Sequence, residues 1–137
     1  MKIKYDMEMM KIIAMFERLT HVSAKDCFEH NEAIYFLVPE GEVRKAVGKS
    51  AQNAKKLSAM LQKKIKIIGY SEDLCQFVRN MIKPLQVRDV TVEGKIVTIT
   101  DDDPRTKGLI IGRNAANLRA LEQHVRRHFD IEEIKVV

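Results

Sequence analysis

AVGKSAQNAKKLSAML (residues 46–61) and GLIIGRNAANLRALE (residues 108–122) are two versions of one pattern. Both contain an apolar residue, a glycine and a cation, Val47-Gly48-Lys49 in the first and Ile111-Gly112-Arg113 in the second. Three further pairs match at the same offset, namely Asn53 with Asn117, Lys55 with Arg119, and Leu57 with Leu121. A surface loop is free to vary unless something uses it. A loop duplicated together with its helix therefore predicts a duplicated functional module.

The segments around these patterns repeat one order of elements: helix, strand, strand, helix, glycine loop, helix and strand. In the first half, apolar periodicity predicts helices over 6–19, 41–47 and 52–62, and strands over 23–29, 33–38 and 64–68. In the second half it predicts helices over 71–85, with Ser71 as N-cap, 104–111 and 116–128, and strands over 87–92, 95–100 and 133–137. The predicted fold class is α+β, with two tandem modules, 1–69 and 70–137, each carrying a three-stranded sheet.

Cations and acids are segregated along the chain. The formal net charge is only +5, from 24 Lys and Arg against 19 Asp and Glu. However, residues 43–70 contain no acid, and residues 104–127 contain only Glu122. A phosphate backbone gains from clustered cations rather than from a positive average, so this segregation favours a nucleic-acid partner.

The glycine loops are candidate phosphate sites. Glycine lets another backbone approach closely, the following helix presents unpaired N–H groups, and Lys49 or Arg113 adds a cation. The apolar flanks, Val43 and Val47 or Leu109 and Ile111, are candidates to line a groove for bases. The candidate binding residues of the first module are Arg44, Lys45, Gly48, Lys49, Ser50, Ala51, Asn53 and Lys55. Those of the second are Arg105, Lys107, Gly112, Arg113, Asn114, Ala115, Asn117 and Arg119.

Other classes of function are disfavoured. The run from Gly41 to Ser50 looks like a nucleotide-binding P-loop but has six residues between its glycines instead of four, so no enzyme activity is expected. Asp101-Asp102-Asp103-Pro104 is interpreted as a helix cap rather than a magnesium site. We expect no metal or cofactor and no small-molecule substrate. No apolar run is long enough to span a membrane, and Cys27 and Cys75 are typical of thiols in the reducing cytoplasm.

These residues resemble the KH fold in its prokaryotic (type II) arrangement. Nearly the whole chain resembles the archaeal NusA family of transcription termination and antitermination factors, most strongly over residues 46–61 and 108–122. The resemblance implies a non-enzymatic regulator that binds single-stranded RNA through both glycine loops. It also makes RNA polymerase a candidate partner. A ribosome-associated or ribosome-assembly KH protein is the alternative.

The sequence departs from the KH pattern at one loop position. The KH loop is normally G-x-x-G, but its last residue here is alanine in both copies, Ala51 and Ala115. Alanine replaces glycine easily where φ is negative. We therefore expect loops that keep their first glycine and their cation but are stiffer.

Overall fold

The computed structural model describes residues 5–137 and divides into two compact units, called here the first unit (residues 5–71) and the second unit (residues 72–137). Residues 1–4 of the first predicted module lie outside the described residues. The first unit contains α1 (Met7–Thr20), β1 (Asp26–His30), β2 (Ala33–Pro39), α2 (Val43–Val47), α3 (Gln52–Leu61) and β3 (Lys64–Tyr70). The second contains α4 (Leu74–Ile82), β4 (Asp89–Glu93), β5 (Ile96–Thr100), α5 (Pro104–Ile111), α6 (Ala116–Arg126) and β6 (Glu133–Val136).

The two units have the same sheet topology. In each unit the second strand is central and pairs antiparallel with the first strand and parallel with the third. Ile34 of β2 pairs with Ile65 of β3, and Val97 of β5 pairs with Ile134 of β6. The chain is therefore α+β and consists of two small KH-like domains, which confirms the duplication that the sequence predicts.

Apolar side chains from all three helices of the first unit pack on one face of its sheet. Phe16 of α1 stacks on Phe36 of β2 with ring centroids 4.1 Å apart, and both are fully buried. Ala46 of α2 and Leu57 of α3 belong to the same cluster. In the second unit the positions equivalent to Phe36 and Ala46 are Ile99 and Ile110, which are also buried. These two core positions therefore stay apolar and buried although their side chains differ, and cores tolerate such changes while the apolar pattern is kept.

Three helices begin at an aspartate. Asp6, Asp73 and Asp103 accept hydrogen bonds from the backbone N–H groups of Met9, Cys75 and Arg105, respectively. Such caps satisfy N–H groups that the helix leaves without a partner. The Asp103 carboxylate also accepts from the Thr106 hydroxyl at 2.8 Å, and these hydrogen bonds hold the pKa of Asp103 below its ordinary value. The predicted cap at Asp103 with Pro104 in the first turn is confirmed.

Some predicted boundaries were wrong. The N-cap of α4 is Asp73 rather than Ser71, and the helix ends at Ile82 instead of continuing to residue 85. The end follows from Pro84, because a residue before proline disfavours the helical conformation. The strand predicted over 64–68 continues to Tyr70, since Gly69 and Tyr70 pair with Val38 and Pro39 of β2.

Candidate nucleic-acid interface

The two glycine loops, 48–51 (the first loop) and 112–115 (the second loop), have nearly the same backbone conformation. Gly48 has φ 82° and ψ 165°, and Gly112 has φ 74° and ψ 176°. This combination is adopted essentially by glycine alone. Each loop connects the C-terminus of a short helix, α2 or α5, to the N-terminus of a longer one, α3 or α6. The backbone conformation therefore requires glycine at positions 48 and 112.

An asparagine braces each loop from the following helix. The side-chain amide of Asn53 donates to the carbonyl oxygen of Lys45 at 3.4 Å, and that of Asn117 donates to the carbonyl oxygen of Leu109 at 3.2 Å. A Cβ atom at Gly112 would lie 2.7 Å from the Cγ and Nδ2 atoms of Asn117. Asn53 and Asn117 were predicted as binding residues, and the structure shows that each amide ties the helix after the loop to the helix before it.

The last two residues of each loop have positive φ. Ser50 and Ala51 have φ of 53° and 58°, and Asn114 and Ala115 have φ of 55° and 60°. Ala51 and Ala115 therefore do not sit at the negative φ that accepts alanine easily, and the left-handed conformation costs a non-glycine residue about 1–2 kcal/mol. The glycine of the usual KH pattern fits this geometry better than the alanine that is present.

We expect Ala51→Gly and Ala115→Gly each to raise the free energy of unfolding by about 1 kcal/mol, because glycine relieves the left-handed strain. Ala59→Gly is the matched control, since Ala59 is exposed within α3 and glycine there should lower stability by about 1 kcal/mol. Urea unfolding of the three variants measures these differences. A loss of stability in all three would contradict the loop conformation described here.

The helices that follow the loops begin without a side-chain cap. The residue before each helix is Ala51 or Ala115, whose side chain cannot cap it. The first N–H group of each helix, that of Gln52 or Ala116, donates instead to the backbone carbonyl oxygen of Lys49 or Arg113. This differs from α1, α4 and α5, which all begin at an aspartate. Uncapped N–H groups and the positive end of the helix dipole favour an anion at this position.

The candidate cations are placed around these loops. Lys49 and Arg113 are exposed at the loop tips, and Lys55 and Arg119 lie one turn into the helices that follow. The remaining candidate cations lie on the helices that precede the loops: Arg44 and Lys45 on α2, Arg105 and Lys107 on α5. In each unit the predicted cations therefore lie on the loop and on the two helices that it connects.

Arg119 differs from the other candidate cations. Its guanidinium donates to Glu122 at 2.9 Å, and within residues 5–137 it is the only candidate cation that forms an ion pair. Glu122 is 2% exposed and also accepts the backbone N–H of Ile134 in β6 at 2.8 Å. Sequence reasoning missed this structural role of Glu122. The available signal was that Glu122 is the only acid in residues 104–127.

The alternative sites of the sequence analysis find no support in the structure. The segment before Gly48 is the helix α2, whereas a P-loop follows a strand. Across the described residues, no group of three or more His, Cys, Asp or Glu side chains is arranged to hold a metal ion. None of the helices in this part of the chain is both long and apolar enough to cross a membrane.

The chain is similar to several known proteins over both units, although no family model matches it. It is 34% identical over 139 residues to the probable transcription termination protein NusA of Methanocaldococcus jannaschii, covering 99% of this chain and 76% of that protein. The protein of the same name from Methanococcus vannielii is 34% identical over 140 residues, covering 100% of this chain and 81% of that protein. The crystal structure of APE1850 matches with a TM-score of 0.75 and 27% identity, covering 97% of this chain and 100% of that one.

Proposed function

The chain belongs to the archaeal NusA family of transcription termination proteins, and from this we propose that it is an RNA-binding factor acting in transcription termination or antitermination. It binds single-stranded RNA with the phosphates at residues 48–51 and 112–115. The two units, residues 5–71 and 72–137, are KH domains of the type II arrangement, so the boundary lies two residues beyond the one that the sequence predicts. RNA polymerase is the candidate protein partner, and the factor acts without catalysis.

The observation that carries this proposal is the repeated loop geometry. Both loops have a glycine-only conformation followed by two residues in the left-handed region, the same asparagine brace and an exposed cation at the tip. Strained backbone conformations cluster at ligand-binding and other functional sites. The same strained conformation in both loops therefore supports a ligand-binding role for each. The uncapped helix after each loop makes that ligand an anion.

Single-stranded RNA is the favoured anion because the loops present both charge and apolar surface. Val47 and Ile111, directly before the glycines, are half-buried and can contact bases whose phosphates lie at the loop. KH loops clamp about four nucleotides of backbone. The ribosomal alternative gains no specific support, because the relatives from Methanocaldococcus jannaschii and Methanococcus vannielii are named as transcription termination proteins.

Fluorescence anisotropy of a labelled single-stranded RNA at several salt concentrations tests the proposal. We expect log K to fall linearly with log salt, with a slope of about 3 to 6, which corresponds to roughly four to eight phosphate contacts at 0.7 per contact. A double-stranded RNA of the same sequence serves as the control and should bind more weakly. Absence of binding to single strands of varied sequence at low salt would refute the proposal.

A further inference from the structure

The two units present chemically different surfaces beside structurally equivalent loops. Lys45 and Leu109 are equivalent, because each supplies the carbonyl oxygen that receives the asparagine amide. Both side chains are exposed, and that of Leu109 is 53% exposed. Among the large apolar side chains that the described residues leave exposed, Leu109 is the one on a helix that ends at a glycine loop. A cation of the first unit is thus replaced by an exposed leucine in the second.

The same change recurs at neighbouring positions. Three exposed positions of the first unit that carry long polar or cationic side chains correspond to small residues in the second: Arg44 to Gly108, Gln52 to Ala116, and Lys56 to Ala120. Lys55 corresponds to Arg119, whose charge is paired with Glu122. No acid lies in residues 43–70 to pair with the cations of the first loop from within this segment. The second unit instead carries Arg105 and Lys107 where the first has Gly41 and Val43, so its positive charge lies earlier on the preceding helix and is partly compensated at Arg119.

We propose that the two loops contribute differently to RNA binding, and this proposal rests on the proposed function above. The first loop holds the RNA backbone chiefly by charge, and Lys45 is one of its phosphate contacts. At the second loop Leu109 packs against an unstacked base of the strand whose phosphate lies at residues 112–115. Leu109 is thus a specificity-determining residue, and its contribution does not depend on salt.

The physical basis is that the two kinds of contact respond differently to salt. A lysine–phosphate contact releases a counterion and contributes about 0.7 to the slope of log K against log salt for a single strand. Apolar contact with a base releases no ions, so it adds affinity without changing that slope. Bases differ in the apolar area they offer, whereas the phosphates of all nucleotides are alike. Affinity, slope and sequence preference together separate the two roles.

Reciprocal exchange tests the proposal, with anisotropy against labelled short single strands of A, C and U as the probe. We expect Lys45→Leu to lower the slope of log K against log salt by about 0.7 and to lower the affinity for all three RNAs by the same factor. Leu109→Ala should lower the affinity for the preferred RNA about 5-fold at every salt concentration and leave the slope unchanged. Leu109→Lys should raise the slope by about 0.7 and bring the three affinities closer together.

Met60→Ala is the control for loss of an exposed apolar side chain, since Met60 is 56% exposed near the end of α3, and it should bind RNA like the wild type. Circular dichroism confirms the folding of each variant. If the wild type binds RNA and Leu109→Ala binds it with the same affinity and the same sequence preference, Leu109 does not contact a base. The exposed Leu109 side chain would then be a contact for a protein partner. Failure of the wild type itself to bind RNA would instead remove the proposed function.

Discussion

The double variant Lys49→Asp with Arg113→Asp is expected to bind single-stranded RNA about 100-fold more weakly or worse at low salt. Each substitution replaces the cation at a loop tip by an acid, and a hydrogen bond to a charged group contributes about 1.5–3 kcal/mol. Two lost phosphate contacts also reduce the salt slope by about 1.4. Anisotropy titrations at several salt concentrations measure both quantities. The loss should be similar for RNAs of different sequence, because phosphate contacts carry no sequence information.

A matched double variant controls for the change in net charge. Lys11 on α1 and Lys83 after α4 are exposed and lie outside both loops, so Lys11→Asp with Lys83→Asp changes the net charge equally and should retain most of the affinity. Both loop substitutions are at exposed positions, so the loop variant should keep the circular dichroism and thermal midpoint of the wild type. If the loop and control variants bind equally well, RNA does not bind at the glycine loops.

Much of the fold could be predicted because local signals and tertiary packing agree. Helix α5 was predicted over its observed length, since Asp103 and Pro104 mark its start and Gly112 marks its end. Strand ends were less predictable because they depend on pairing: Gly69 and Tyr70 belong to β3 only through their partners in β2. The cap of α4 was misplaced by two residues, because Ser71 and Asp73 are both good N-caps and only the structure distinguishes them.

The two loops could be located from the sequence, but their conformation could not be predicted. The duplicated glycine and cation were visible in the sequence, and the structure places the predicted residues of each unit on the loop and on the two helices that it connects. The left-handed conformation of Ala51 and Ala115 was not predictable, because alanine disfavours it. The backbone path between the helix before each loop and the helix after it imposes this conformation. The pairing of Arg119 with Glu122 was missed, because burial of an acid against a strand N–H is a tertiary property.

Gly112→Ala is expected to lower the free energy of unfolding of the second unit by about 2–4 kcal/mol. The φ and ψ of Gly112 lie in a region that costs a non-glycine residue about 1–3 kcal/mol. An added Cβ would also meet Asn117 at 2.7 Å, so Asn117 would have to move away and lose its hydrogen bond to Leu109. Denaturant unfolding measures the stability, and the displaced loop should bind RNA more weakly. Gly48→Ala should lower the free energy of unfolding by less, because a Cβ added at Gly48 would lie no closer than 3.0 Å to the Asn53 side chain.

Gly108→Ala provides the matched control one turn earlier in the same segment. Gly108 lies within α5, and no heavy atom approaches within 4 Å of an added Cβ. Alanine favours a helix over glycine by about 1 kcal/mol, so this variant should be slightly more stable than the wild type. The same glycine-to-alanine change is thus expected to raise the free energy of unfolding at residue 108 and to lower it at residue 112. If both variants are equally stable, the backbone of Gly112 does not adopt the glycine-only conformation, and the common geometry of the two loops would no longer support a common phosphate site.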